Sequence, residues 1–256
     1  MPLDDRRPDK APAVKYVKNA GPTAGASGSA GGPSAALQKF LTTFDWCGED
    51  QQEKRDEMWK RWDKNCNGWL SLAETDDSIK ESLQAAHPSG KEGKAAGEAI
   101  WKRFRPSYIR AFNNAKDAAR ARGKRDNDYV DQNEFPVLLA YLSYYATWFE
   151  VFLLVDGEKP RGDNEEHDRR LSAAEWKKGY SKVAAAGKSW APYVALKNAT
   201  AKSFDKMANE NGYVLFSAFC DWIEKAEKKA GTACGKELAI GDEYKKKSGS
   251  SACAIL

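Results

Sequence analysis

Residues 63–74 read DKNCNGWLSLAE, and the spacing of oxygen-bearing side chains in this stretch decides the fold. Asp63, Asn65 and Asn67 stand at alternate positions one, three and five, so their side-chain oxygens converge if the chain turns sharply after them. Gly68 at position six permits that turn, because a glycine enters the left-handed region without steric penalty. Trp69 at seven offers a backbone carbonyl, Ser71 at nine a hydroxyl and Glu74 at twelve a carboxylate with two oxygens. Calcium is a hard cation that takes six to eight oxygen ligands, and a twelve-residue EF-hand loop supplies them at these positions. Leu70 at position eight is the apolar residue expected in the short strand that joins paired loops. Only Asp63 and Glu74 carry full charge, which predicts sensor-range rather than buffer-range affinity.

The flanks agree with the motif. Met58, Trp59 and Trp62 lie at helical spacing just before the loop, and Leu37, Phe40, Leu41 and Phe44 repeat the pattern upstream. Further helices are predicted at about 97–121, 132–154, 172–186, 193–206 and 216–230, and no alternating strand pattern competes. The stretch Phe135–Val155, FPVLLAYLSYYATWFEVFLLV, carries Glu150 as its single charge and is long enough to span a bilayer. Its tyrosines, Ser143, Thr147 and Glu150 favour a buried central helix instead.

EF-hands come in pairs, and three weaker loops follow the first. Gly123–Glu134 keeps Val130, Asp131 and Glu134 at positions eight, nine and twelve. However, Gly123 replaces the first carboxylate and Arg125 puts a cation at position three, so this loop is expected to pair Val130 against Leu70 rather than hold metal. The third loop ends with Leu171, Ser172 and Glu175, and its start is open. Asp156 at position one implies eight extra residues, whereas Asn164 at position one brings in Glu166 and Asp168 but sets Arg169 at the turn. Asp156, Asn164, Glu166, Asp168, Ser172 and Glu175 are its weak candidate ligands. The fourth, MANENGYVLFSA, has Met207 and Ala218 where the carboxylates belong and reads as a relic.

The expected architecture is all-α: two packed EF-hand pairs at 36–150 and 151–231, between a Gly/Ser/Ala/Pro-rich disordered arm at 1–35 and a flexible tail at 232–256. With 41 basic and 37 acidic residues the net charge is only +4, which argues against nucleic acid as a partner. Five scattered cysteines without a CxxC pair argue against a disulfide framework or zinc site and fit a reducing cytosol. The opening MPLDDRRPDK has no apolar signal segment, and an intracellular location is expected. His87 and His167 are the only histidines and sit in no nucleophile or metal-triad context, so no enzymatic activity is expected.

CAIL at Cys253–Leu256 fits a prenylation signal at Cys253, with Lys245, Lys246 and Lys247 upstream as a second, electrostatic membrane signal. These residues suggest membrane association on the cytoplasmic side.

Four spaced loops, a long apolar helix between the second and third, and small-residue ends together resemble the calflagins, flagellar calcium-binding proteins of trypanosomatids. The likeness covers about Glu53–Lys229. It rests on MWKRWDKNCNGWLSL (58–72), AFNNAKDAARARGKRDNDYVDQNEFPVLLAYLSYYATWFEVF (111–152) and ENGYVLFSAFCDW (210–222). The resemblance implies two packed EF-hand pairs, Ca2+ as the bound ion and calcium-linked association with the flagellar membrane. Two departures matter. The family's better calcium loops are the third and fourth, which are spoiled here, and its amino-terminal Met-Gly acylation signal is Met-Pro in this chain. Two roles follow as expectations: a calcium sensor or adaptor acting on a protein target, or a structural part of an axonemal microtubule assembly built on largely degenerate hands.

Overall fold

A computed structural model describes residues 32–44, 49–118, 128–156 and 170–239. Within them the regular structure is helical apart from two pairs of very short strands.

Helix α1 (Ala35–Phe44) begins where the Ser34 hydroxyl accepts the Leu37 N–H at 3.1 Å, and it buries Leu37, Phe40, Leu41 and Phe44 along one face. After a single 3-10 turn at Glu49–Gln51, α2 (Gln52–Trp62) buries Met58, Trp59 and Trp62 and runs into the Asp63 loop. Strand β1 (Trp69–Leu70) leads to α3 (Leu72–Ala85), and a long α4 follows at Lys91–Ala118. The predicted 97–121 helix thus starts six residues early, and its opening is disguised by two glycines. Gly97 is required there: a Cβ would lie 2.6 Å from the Gln84 Cα, so a bare backbone is what lets α4 lie against α3.

Strand β2 (Val130–Asp131) precedes α5 (Phe135–Asp156), the central helix. It packs against α1, α4, α6 (Ala173–Ser189) and α8 (Phe216–Ala230). A helix surrounded in this way has no broad polar face to show, which accounts for its predominantly apolar sequence. It is long and apolar enough to cross a membrane, yet 83% of its apolar window is buried by other parts of the protein. Its one buried charge, Glu150, is held inside by the Arg103 guanidinium at 2.9 Å and the Ser34 N–H at 3.3 Å. That pairing ties α4 and the start of α1 to α5, and it lets a buried carboxylate stay in the core.

Strand β3 (Arg170–Ser172) precedes α6, and β4 (Tyr213–Leu215) precedes α8. The strands pair antiparallel across the loops: Leu70 with Val130 and Trp69 with Asp131 in one sheet, Leu171 with Val214, flanked by Arg170–Leu215 and Ser172–Tyr213, in the other. Leu70, Val130, Leu171 and Val214 are all fully buried. The fold is the expected all-α arrangement of helix-loop-helix units, with α5 serving as the exit helix of the second and the entry helix of the third.

Two local expectations need correction. The helix foreseen at 193–206 is broken into α7 (Val194–Lys197) and a 3-10 segment at Ala201–Lys206. Thr200 between them is extended, its N–H bonded to the Ser203 hydroxyl at 3.1 Å and its carbonyl taken by the Trp176 indole at 2.9 Å. A local side-chain alternative to the helical ladder, anchored by a buried tryptophan, stops the helix. The stretch 232–256, expected to be a flexible tail, also begins with folded structure. Residues 233–239 are helical, with Cys234 and Leu238 buried, the Tyr144 hydroxyl donating to the Glu237 carboxylate and the Tyr141 hydroxyl to the Glu237 carbonyl. Of the arm expected at 1–35, residues 1–31 lie outside the described residues and Ala35 already belongs to α1; the start of the second loop with Gly123 and Arg125, and Lys245, Lys246, Lys247 and Cys253, also lie outside them.

Candidate metal centre

In the first loop, Asp63 sits at the end of α2 and is 6% exposed. One carboxylate oxygen accepts the Asn67 N–H at 3.1 Å and the other the Gly68 N–H at 3.0 Å. These bonds draw the middle of the loop back over its first residue, and Gly68 at φ +79° makes the reversal without strain. Cys66 is also left-handed, at φ +56°, a conformation that disfavours a residue with a Cβ.

The Asn65 Oδ1 accepts the Asn67 N–H at 3.0 Å, and the Asn67 Oδ1 accepts the Trp69 N–H at 2.8 Å. Across the loop, the Asn65 amide donates to Glu74 Oε1 at 2.6 Å, so positions three and twelve meet although nine residues separate them. Glu74 Oε2 accepts the Ser71 N–H at 2.9 Å and hydroxyl at 2.8 Å, while the Ser71 hydroxyl accepts the Glu74 N–H at 3.2 Å. This reciprocal capping box starts α3 and fixes the Glu74 side chain over the loop.

The donor set suits a hard divalent cation. It comprises two carboxylates, two amide oxygens, a hydroxyl and the Trp69 carbonyl, every one an oxygen. Among the described residues no group of three or more His, Cys, Asp or Glu side chains gathers that could hold a metal, so this loop depends on neutral oxygens for most of its ligands.

The remaining loops explain what a degenerate hand retains. In the second, Asp131 Oδ1 accepts the Asn133 and Glu134 N–H groups at 2.8 and 3.0 Å, and Glu134 Oε2 accepts the Asp131 N–H at 2.9 Å. In the third, Ser172 and Glu175 reproduce the Ser71–Glu74 box, with Glu175 Oε2 accepting the Ser172 N–H at 2.8 Å and hydroxyl at 2.7 Å. Positions nine and twelve therefore cap the exit helix in all three loops, a role that needs no ion and is worth about 1 kcal/mol. Asp156 ends α5, while Asn164, Glu166 and Asp168 lie outside the described residues.

The fourth loop closes on itself. Asn209 Oδ1 accepts the Asn211 and Tyr213 N–H groups, both at 3.1 Å, Gly212 turns at φ +75°, and Met207 is buried in the core. An amide here does the folding work that the Asp63 carboxylate does in the first loop, and Leu215 in the capping position offers no side-chain bond.

Sequence reasoning missed the residues that tie these loops to the rest of the molecule. Asp76, two residues past Glu74, accepts the Trp101 indole N–H at 2.8 Å and the Tyr108 hydroxyl, joining α3 to α4. Burial, together with the bond to Asp76, raises the Tyr108 hydroxyl well above its ordinary pKa, so it remains a donor. Arg110 bridges α4 to α8 through Asp221 and through Glu224 at 2.8 Å, above the Tyr145 ring. These pairs are 25–114 residues apart in the chain, and no local spacing signals them.

A family model described as the FCaBP EF-hand domain matches residues 46–142, which span the first two hands and the first third of α5. No curated protein matches the chain. The segment 46–142, with its first loop and its paired second loop, thus matches the EF-hand domain of a calflagin-like flagellar calcium-binding family, and the ion that such a domain implies is Ca2+.

Proposed function

We propose that this calcium-binding protein is a sensor or adaptor whose first hand is the ion-responsive element. The observation that carries the reading is the Asp63–Glu74 loop: a turned backbone held by the Asp63 carboxylate, with Glu74 already facing Asn65. Ion binding there acts on aromatic packing. Trp62 directly precedes Asp63 and meets Phe44 and Phe135 edge-on at centroid distances of 6.0 and 5.1 Å. Phe135, in turn, directly follows Glu134 of the paired loop. Tryptophan emission from Trp59, Trp62 and Trp69 should therefore change between chelator and millimolar Ca2+. A spectrum that stays the same would overturn the sensor reading.

A flagellar setting on the cytoplasmic side is part of the proposal, and its support is the family of the 46–142 match. Attachment to a membrane through Cys253, aided by Lys245, Lys246 and Lys247, is a further component that rests on the residue pattern alone; it applies where CAIL terminates the chain. Mass spectrometry of the native C-terminus tests it, the expected product being a prenylated and trimmed Cys253.

The second reading is a structural member of an axonemal assembly. It is favoured by degenerate hands whose described ends serve as helix caps, Asp131–Glu134 and Ser172–Glu175, and by a fourth loop in which Asn209 takes the N–H groups of Asn211 and Tyr213. Detergent extraction separates the two, since it releases a lipid-anchored sensor and leaves an axonemal component behind.

A further inference from the structure

Helix α1 belongs to none of the four hands, yet it is seated in the first pair like a ligand. Leu37, Phe40, Leu41 and Phe44 fall at i, i+3, i+4 and i+7, the anchor spacing of an amphipathic helix laid into an apolar groove, and all are at most 9% exposed. The groove is formed by α3, α4 and α5. Phe40 packs on Phe104 at a centroid distance of 4.9 Å, and Phe44 meets Trp62 at 6.0 Å. The opposite face of α1 carries Gln38, Lys39 and Thr42.

We propose that this groove is a binding site for an external amphipathic helix with bulky apolar residues at those four positions, and that α1 is its resident competitor. Three observations support an exchangeable occupant. At ten residues α1 is shorter than the roughly 12–15 that an isolated helix needs, so its order comes from the groove and is lost when it leaves. Among the described residues the start of α1 is tied to the groove by the exchangeable Ser34 N–H contact to Glu150, and Glu150 keeps the Arg103 guanidinium when that contact opens. The hand beside it buries Trp62 Nε1, Thr75 Oγ1 and Ser78 Oγ without hydrogen-bond partners among the described residues, and the Trp62 ring meets Phe44 of α1.

An internal occupant lowers the apparent affinity of an external one by the fraction of time the groove is filled, so weakening α1 must strengthen binding in trans. The probe is a labelled peptide of residues 33–46, PSAALQKFLTTFDW, titrated in chelator into the full chain and into a Phe40→Ala/Phe44→Ala variant, with binding read by fluorescence anisotropy. The variant should bind at least about tenfold more tightly than the unmodified protein. A peptide with its four anchors changed to serine should not bind.

A variant with unchanged helix content and no gain in affinity overturns the proposal, as does equal binding of the serine peptide. If the variant does not fold, hydrogen exchange on the unmodified chain decides. Excess peptide should speed exchange of the α1 amides by about tenfold or more while α5 is unaffected, and no acceleration refutes the site. Because every arm is read without calcium, failure here is separate from failure of the sensor reading.

Discussion

Glu74 has two separable jobs, and replacing it with glutamine should divide them. Without metal, the glutamine oxygen can still accept the Ser71 N–H that Glu74 now accepts at 2.9 Å, because glutamine serves at this position of a capping box. In chelator the variant should lose less than about 0.5 kcal/mol, and its melting temperature should fall by at most about 2 °C. With metal the change is larger, because one of the loop's two carboxylates and its only two-oxygen ligand are gone. For the unmodified loop, a dissociation constant of about 10 μM puts 1 mM Ca2+ near 100 times Kd, a stabilisation of about 2.7 kcal/mol. At about 2–4 °C per kcal/mol for a chain of this size, calcium should raise the melting temperature by about 5–10 °C. Loss of a charged ligand by about 2.7 kcal/mol weakens binding roughly 100-fold, so 1 mM Ca2+ then sits near Kd and contributes only about 0.4 kcal/mol. The predicted calcium shift of Glu74→Gln is therefore about 1–2 °C. Thermal melts followed by circular dichroism, with and without Ca2+, make the comparison, with Glu175→Gln as the matched change in the third loop. A Glu74→Gln protein that keeps its full calcium shift, or a Glu175→Gln protein that loses it, would refute the assignment of the ion to the first loop.

Other consequences follow from the packing. Gly97→Ala forces a Cβ to within 2.6 Å of the Gln84 backbone and should destabilise the fold by about 1–3 kcal/mol, measured by urea unfolding. Glu150→Leu removes one acceptor of Arg103 and that of the Ser34 N–H; with Arg103 partly solvated, a loss of about 2 kcal/mol is expected, together with faster hydrogen exchange in α1. Burial raises the Glu237 carboxyl above its ordinary pKa, although the Tyr144 hydroxyl bond pulls the other way. For an acid so shifted the folded state holds its proton longer than the unfolded one. Docking of 233–239 should thus be firmest below the ordinary carboxylate range and weaken as pH rises to the raised value. Glu237→Gln should remove this dependence and slow exchange at 233–239 at neutral pH.

Local pattern carried much of this fold into the sequence, and distance in the chain hid the rest. The Asp63–Glu74 loop is legible because its ligands lie within twelve residues and the ion's chemistry dictates their order. The Leu70–Val130 contact follows from the same register, and the i, i+3, i+4, i+7 spacing exposes the buried face of α1. The apolar run of α5 reads correctly as a core helix because its tyrosines and Glu150 find partners inside the protein. By contrast, the break at Thr200 depends on Trp176 taking its carbonyl, and the docking of 233–239 depends on Tyr141 and Tyr144, more than 90 residues away. The composition of 232–256 is that of a tail, and nothing local marks Glu237 as a buried side chain. Within the candidate site the candidate ligands all fall in one twelve-residue pattern, whereas the coupling of α3 to α4 through Asp76, Trp101 and Tyr108 is purely tertiary.

The central claim is that one loop among four binds calcium, through two carboxylates and neutral oxygens. Isothermal titration of Ca2+ into the full chain tests it most directly. One site with a dissociation constant of about 10⁻⁷–10⁻⁵ M, abolished by Glu74→Gln, is the predicted result. No heat of binding, two or more sites, or nanomolar affinity would contradict it.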